Sequence, residues 1–295
     1  MAKKTTDSKI EDLELQLEQK DLEIKSFKKE LIVLNEQIEN LIDKLNNQIQ
    51  FALKIQERLV PTEIPNIPGF EFSNKFVPSS VSGGDYFDIF EIEDRFRFSV
   101  LLSSCSGYGI SSLFLTILLK LTTHIETKKG ANPEKVIHMI IEELMTQISE
   151  KDKANIFYAL INRRNFDMIY CHVGENTVFH YNSVAKEAVV LESFLPALQK
   201  GFKKKITSKT ISLNPKDRLV MISEGLKEIV SPRGISFPQE KIADILESGS
   251  KKSIHDIRNE ILFQIQKWNV KKDYKKDVTV LVAEVKERVL KLAKH

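Results

Sequence analysis

Cysteine is almost missing from this chain: two in 295 residues, Cys105 and Cys171, far apart and without metal-like spacing. That excludes a disulfide framework and fits a reducing cytosol. No apolar run approaches the roughly 18 residues needed to cross a bilayer. The opening "MAKKTTDSKIEDLE" has no apolar core and does not read as a signal peptide. A cytoplasmic protein without membrane insertion is expected. A strong charge of either sign is also lacking, since 44 Lys and Arg face 41 Asp and Glu, for a net +3. The basic runs "KGFKKKITSK" and "KKDYKK" come without a nucleic-acid motif, so they read as solvated surface and predict no nucleic-acid partner. What is present, 42% hydrophobic and 29% charged residues, suffices for a sizeable core.

Glycine and proline are absent from Ile10 to Leu59, and one heptad register runs through that stretch without a break. One seam position reads Ile10, Leu17, Ile24, Leu31, Ile38, Leu45, Ala52, Leu59. The other reads Leu13, Lys20, Phe27, Leu34, Leu41, Gln48, Ile55, with only Lys20 and Gln48 polar. Pro61 ends the helix. A helix of roughly 75 Å at 1.5 Å per residue cannot bury such a seam alone. The spacing predicts a parallel, two-stranded homodimer, with Ile24, Leu31, Leu34, Ile38, Leu41 and Leu45 in its seam. The alternative is a long helix that folds back on its own domain.

Beyond "PTEIPNIPGF", a proline-stiffened linker, the texture changes. Strand-like runs "FEFSNKFV", "DYFDIFEI" and "FRFSVLLS" come first, followed by two amphipathic helices. The second helix opens with Asn132 as its cap and Pro133 at the first helical position. Further strands appear at "NIFYALIN", "FDMIYCHV", "NTVFHYN", "EAVVLE", "TISLN" and "RLVMIS". Two helices occupy about 238 to 268, and a last strand, "DVTVLVAEV", leads into a C-terminal helix. This order predicts an α+β fold of two packed antiparallel sheets flanked by helices. The expected divisions are a flexible tail over 1–8, a coiled-coil dimerisation and linker helix over 9–60, a globular domain over 62–288, and a C-terminal helix end over 289–295.

The stretch "LLSSCSGYGI" starts as a strand and turns, through Gly107 and Gly109, into a helix. Such a turn gathers backbone N–H groups and is a common place for site chemistry. Here it offers only hydroxyls and a thiol: Ser103, Ser104, Cys105 and Ser106.

Five pieces in order resemble the SpoIIE and RsbU branch of the PPM family, the metal-dependent protein serine/threonine phosphatases. "ALKIQERLVP" is like that branch's linker helix. "SGGDYFD" is close to its Gly-Gly-Asp-Tyr-Tyr-Asp, and "SCSGYG" stands where it has Asp-Val-Ser-Gly-His-Gly. "SEGLKE" matches Thr-Asp-Gly-Val followed by Glu, and "KDVTVLV" matches Asp-Asp-x-Thr with its closing strand. A weaker sixth piece is "HVGENT". The resemblance implies two sheets packed face to face, with carboxylates holding two Mn²⁺ or Mg²⁺ ions at one edge. Hard dications need oxygen ligands and offsetting charge, and a water between them attacks the phosphoserine phosphorus.

Carried over residue by residue, Asp85 matches the aspartate that bridges both metals, and Gly84 and Gly83 permit its close approach. Ser104 stands where the first metal's other aspartate belongs. Glu224 stands for the aspartate of the "SEG" turn, as a ligand or equally as a solvated turn carboxylate. Lys276 replaces the first aspartate of the closing motif, while Asp277 matches the second, which is not the direct ligand. Tyr108 replaces a histidine, and Glu175 stands in the weaker motif. Where the family's four carboxylates carry −4, Asp85, Glu224, Ser104 and Lys276 together leave −1, so the cofactor expected is none, or a weakly held Mn²⁺ or Mg²⁺. Asp85 is expected to pair with Lys276 in preference to serving as a plain turn residue, although Glu224 also lies within the expected reach. Cys105 is expected to be a buried small hydrophobe, and His172 and Tyr108 to be packing or rim residues.

These readings favour a catalytically impaired, PPM-type regulatory protein of bacterial partner-switching signalling that acts by binding a STAS-domain or other signalling partner. Two alternatives stand beside it. One is an active phosphoserine phosphatase acting on a STAS-domain anti-sigma-factor antagonist, with Asp277 or Asp273 as a shifted ligand. The other is a coiled-coil adaptor with an inert globular end.

Overall fold

A computed structural model of the chain describes residues 2–59, 64–79, 84–106, 115–121, 130–145, 148–270 and 274–286. The expected turn around Tyr108, Gly83, Asp273 and the C-terminal helix end lie outside these residues. The chain forms two compact units, Met1–Phe51 and Ala52–His295. Helix α1 spans Ala2–Leu59, so helical backbone begins at Ala2 where the sequence suggests a flexible tail over 1–8. No glycine or proline interrupts "AKKTTDS" to stop the helix earlier. From Leu17 to Leu45 the seam side chains stand exposed, with Leu31 at 60% and Leu41 at 59%.

The second unit is a sandwich of two antiparallel sheets. One sheet runs β1 (Phe70–Val77), β10 (Val278–Val285), β9 (Arg218–Ile222), β6 (Thr177–Asn182), β7 (Glu187–Val190). The other runs β2 (Asp85–Glu91), β3 (Arg97–Ser106), β4 (Lys153–Asn162), β5 (Asp167–Val173), β8 (Lys209–Ser212). The helices are α2 (115–121), α3 (Pro133–Met145), α4 (Glu240–Ser248) and α5 (Ile254–Trp268).

Strand periodicity explains the layers, because successive side chains point to opposite faces. In β4, Phe157, Ala159 and Ile161 enter the core between the sheets, while Ala154, Ile156 and Tyr158 face outward. The outward set packs with Leu115 and Leu119 of α2 and with Val136, Ile137 and Ile140 of α3. In β9 the split is Leu219 and Met221 inward, Val220 and Ile222 outward beneath α4 and α5. A strand covered on both faces is apolar throughout, which is why "RLVMIS" shows no polar alternation. Asn132 caps α3 as its sequence predicts, accepting the Glu134 N–H at 3.2 Å.

Candidate functional site

Strand register assembles one edge of the sandwich. Asp85, the first residue of β2, lies directly opposite Ser104 on β3, and Ser104 lies opposite Asn155 on β4. On the other sheet, β9 ends at Ile222 and the chain passes into a short 3₁₀ turn, Glu224–Glu228, beside Asp277, the residue just before β10. Gly225 is required here by close approach: a Cβ on it would lie 1.8 Å from the Asp277 carbonyl oxygen. That contact explains the glycine of "SEGLKE".

Asp277 organises the edge. Its Oδ1 accepts the Ser79 N–H at 2.8 Å, and its Oδ2 accepts those of Gly84 at 2.9 Å and Asp85 at 3.3 Å. The carboxylate therefore holds the backbone that presents Asp85. The Asp85 side chain is buried, and its Oδ2 accepts the Thr279 hydroxyl at 2.8 Å. Burial, and then the neighbouring Asp277 charge, push the Asp85 carboxyl well above the usual carboxylate range, while the hydroxyls of Ser223, Thr279 and Ser104 oppose the shift.

Glu224 is buried, not a solvated turn residue. Its N–H donates to Asn176 Oδ1 at 3.1 Å, its Oε2 accepts from Asn155 Nδ2 at 3.0 Å, and its Oε1 accepts from Lys276 Nζ at 2.7 Å. Lys276 also lies 3.5 Å from Glu228 Oε1. Burial alone would lower the Lys276 ammonium, but the hydrogen bond and charge of Glu224, with Glu228 behind it, outweigh burial and raise it. The expected pairing with Asp85 is thus corrected: Lys276 binds the two glutamates on the rim, and Asp85, sunk beneath hydroxyls, takes a neutral donor instead. Gly84, Asp85, Ser104, Lys275, Lys276 and Glu228 are among the residues lining a cleft of about 240 Å³ at this edge.

Other expected residues take lesser parts. Cys105 is buried, and burial followed by the Asp85 charge pushes its thiol up to about 12, which leaves it unreactive. His172 is buried with Nδ1 2.8 Å from the Leu191 carbonyl, and burial lowers its pKa, so it is a neutral packing residue. The Glu175 side chain is half-exposed and faces Lys227 at 3.5 Å.

Two residues escaped the sequence reading. Asn155 spans the edge, donating to Glu224 Oε2 and to the Ser104 carbonyl while its Oδ1 accepts the Glu175 N–H at 2.9 Å. Asn176 links the Glu224 N–H to the Leu102 carbonyl. A lone amide in the apolar run "ANIFYALI" was the available signal for Asn155. Among the described residues, no three His, Cys, Asp or Glu side chains gather as a metal-holding group.

Residues 94–286 match the family described as Stage II sporulation protein E (SpoIIE). Phosphoserine phosphatase RsbU of Bacillus subtilis is 20% identical over 236 residues, which cover 78% of this chain and 69% of that one. Phosphoserine phosphatase RsbP of the same organism is 20% identical over 229 residues, 76% of this chain and 54% of that one. The SiaA-PP2C domain of Pseudomonas aeruginosa superposes with a TM-score of 0.69 at 15% identity, over 82% of this chain and 97% of the domain. The two-sheet architecture is common to both structures.

Proposed function

Since the chain belongs to the SpoIIE family, we propose that it is a regulatory PPM-type protein whose cleft binds a phosphoserine-bearing partner and has lost the charge for two-metal turnover. The observation that carries this reading is the 2.7 Å ion pair between Lys276 and Glu224. An ammonium occupies the place where the family carries a metal-binding carboxylate, and it has already claimed one of the carboxylates that remain. An ammonium about 5 Å from a dication is repelled by on the order of 6 kcal/mol at an effective dielectric near 20.

The donor set does not fit two dications. Asp277 spends both oxygens on backbone N–H groups, Glu224 spends both on Asn155 and Lys276, and Ser104 is neutral. Asp85 also lines the cleft, as a buried carboxyl whose Oδ2 already accepts the Thr279 hydroxyl. Binding without turnover suits a signalling role, with a STAS-domain protein as the partner that the family resemblance suggests. The coiled coil of α1 would supply a homodimer.

Mn²⁺ calorimetry on the full chain tests the reading. Wild type should show no tight site and at most trace Mn²⁺-dependent hydrolysis of p-nitrophenyl phosphate. Ser104→Asp with Lys276→Asp restores the carboxylate count. Because residue 104 lies opposite Asp85, the double variant should be destabilised without metal and stabilised again by Mn²⁺ in a thermal melt. Robust Mn²⁺-dependent turnover by wild type would overturn the proposal in favour of an active phosphatase.

A further inference from the structure

The run "KGFKKKITSK", unremarkable as sequence, is a built surface in the fold. Residues 199–209 carry five lysines, Lys200, Lys203, Lys204, Lys205 and Lys209, and no Asp or Glu occurs from Ser193 through Lys216. All five are exposed. Between them the strap is anchored every fourth residue, by buried Leu198, half-buried Phe202 and buried Ile206 in the core outside the β2–β8 sheet. Gly201, at φ +79°, permits the turn in which the Phe202 N–H reaches the Gln199 carbonyl at 3.0 Å. Ser208 then ties the far end to α3 through two bonds to Glu134 Oε1, at 2.9 and 2.8 Å. The lysines are therefore held outward on an ordered frame, unlike those of a loose tail.

Position gives the strap its meaning. Leu198 and Ala154 exchange backbone hydrogen bonds at 2.8 and 2.9 Å, and Ala154 pairs on its other side with Cys105, which lines the cleft. Two strand spacings, about 10 Å, thus separate the strap's anchor from the cleft wall. Lys153, paired with Ser106, and Lys275 on the opposite wall continue the positive charge around the opening.

We infer that residues 199–209 form a docking surface for an acidic face of a protein partner whose phosphoserine enters the adjacent cleft. The inference rests on the binding role proposed above. A protein fits better than the other polyanions. The only aromatic on the strap, Phe202, is half-buried in the core and leaves no ring for base stacking. All five cations are lysines, without the arginine fork favoured for nucleic acid, and no exposed apolar side chain stands ready to enter a bilayer.

The test is fluorescence anisotropy with the full chain and a labelled peptide bearing one phosphoserine flanked by four glutamates on each side. Its companion probe replaces the glutamates with glutamines. Wild type should bind the glutamate peptide roughly tenfold or more tightly than the glutamine peptide, and lose that preference at high salt. Lys203→Glu, Lys204→Glu and Lys205→Glu together should abolish the preference. The variant Lys75→Glu, Lys251→Glu, Lys267→Glu makes the same change in net charge elsewhere and should retain the preference within about twofold. Equal loss in both triple variants, no loss in the strap variant, or tighter binding to a single-stranded oligonucleotide or to phosphatidylserine vesicles would overturn the inference. Assaying p-nitrophenyl phosphate turnover in the same samples keeps the two proposals apart. Turnover by wild type would remove the loss of catalysis and leave the strap result standing.

Discussion

Replacing Lys276 with methionine isolates the ion pair at the cleft. The ammonium lies 2.7 Å from a Glu224 side chain that is only 10% exposed, and 3.5 Å from Glu228. Unit charges 2.7 Å apart attract by about 6 kcal/mol at an effective dielectric of 20. Withdrawing both ions from water cancels much of that, and removing one partner of a fully buried pair typically costs about 3–5 kcal/mol. The Lys276 side chain is 27% exposed, so water screens part of the loss, and the expected destabilisation is about 2 kcal/mol. Methionine keeps an unbranched apolar stem and leaves Glu224 with Asn155 as its side-chain donor. Urea unfolding followed by Trp268 fluorescence reads this cleanly, because the single tryptophan lies in α5 of the globular unit.

The pH dependence has a definite sign. The Lys276 ammonium is raised in the folded state, so its stabilisation is complete below the unfolded lysine value of about 10.4 and disappears as pH climbs through the raised folded value. The deficit of the methionine variant should therefore shrink at strongly alkaline pH. Glu224→Gln combined with Lys276→Met should reveal a coupling of about 1 kcal/mol or more. A methionine variant as stable as wild type at pH 8, or a coupling near zero, would show that the pair adds nothing and that Lys276 is a bystander in the cleft.

Asp217 is buried, and although burial raises its carboxyl, bonds from His180, Asn214 and Ser183 lower it below the ordinary value. Its contribution is present above the unfolded value of about 3.9 and lost as pH falls through the depressed one. Asp217→Asn should thus cost about 1–2 kcal/mol at pH 7 and progressively less below pH 4, read from urea midpoints. Burial holds the thiols of Cys105 and Cys171 up at about 12, so neither should react with a disulfide reagent until the chain unfolds, and rapid native labelling would contradict their placement. In the coil, Leu34→Lys with Leu41→Lys should give monomers by sedimentation while wild type is dimeric, since ammonium groups at a seam are costly to desolvate. A wild-type chain that sediments as a monomer at tens of micromolar would end the dimer reading.

Much of the fold was legible because local rules and global fold agree. Strand-like runs bounded by turn residues mark β1 through β10, and the Asn132–Pro133 pair marks the start of α3. The pairing order β1-β10-β9-β6-β7 was not legible. It joins the first and last strands of the domain, whose register is set by contacts some two hundred residues apart. No local window holds that information.

The same division runs through the site. Asp85, Glu224, Lys276 and Asp277 each stand in a short motif that sequence order alone can place. Asn155 and Asn176 stand in none, because their roles come from the pairing that sets Asp85, Ser104 and Asn155 side by side and from the return of the 3₁₀ turn. The choice of partner for Lys276 belongs to this second class. Charge alone permitted Asp85 or Glu224, and depth decided between them. A buried carboxyl beside another carboxylate is offset by a cation, a proton or hydrogen bonds. Asp85, beneath the sheet edge, is met by the hydroxyls of Thr279, Ser223 and Ser104 and by a raised affinity for its proton. Glu224, nearer the rim, is met by an ammonium that keeps part of its hydration. Each carboxyl is thereby offset by means of the chain's own, and a metal ion bound between them would have to displace both arrangements at once.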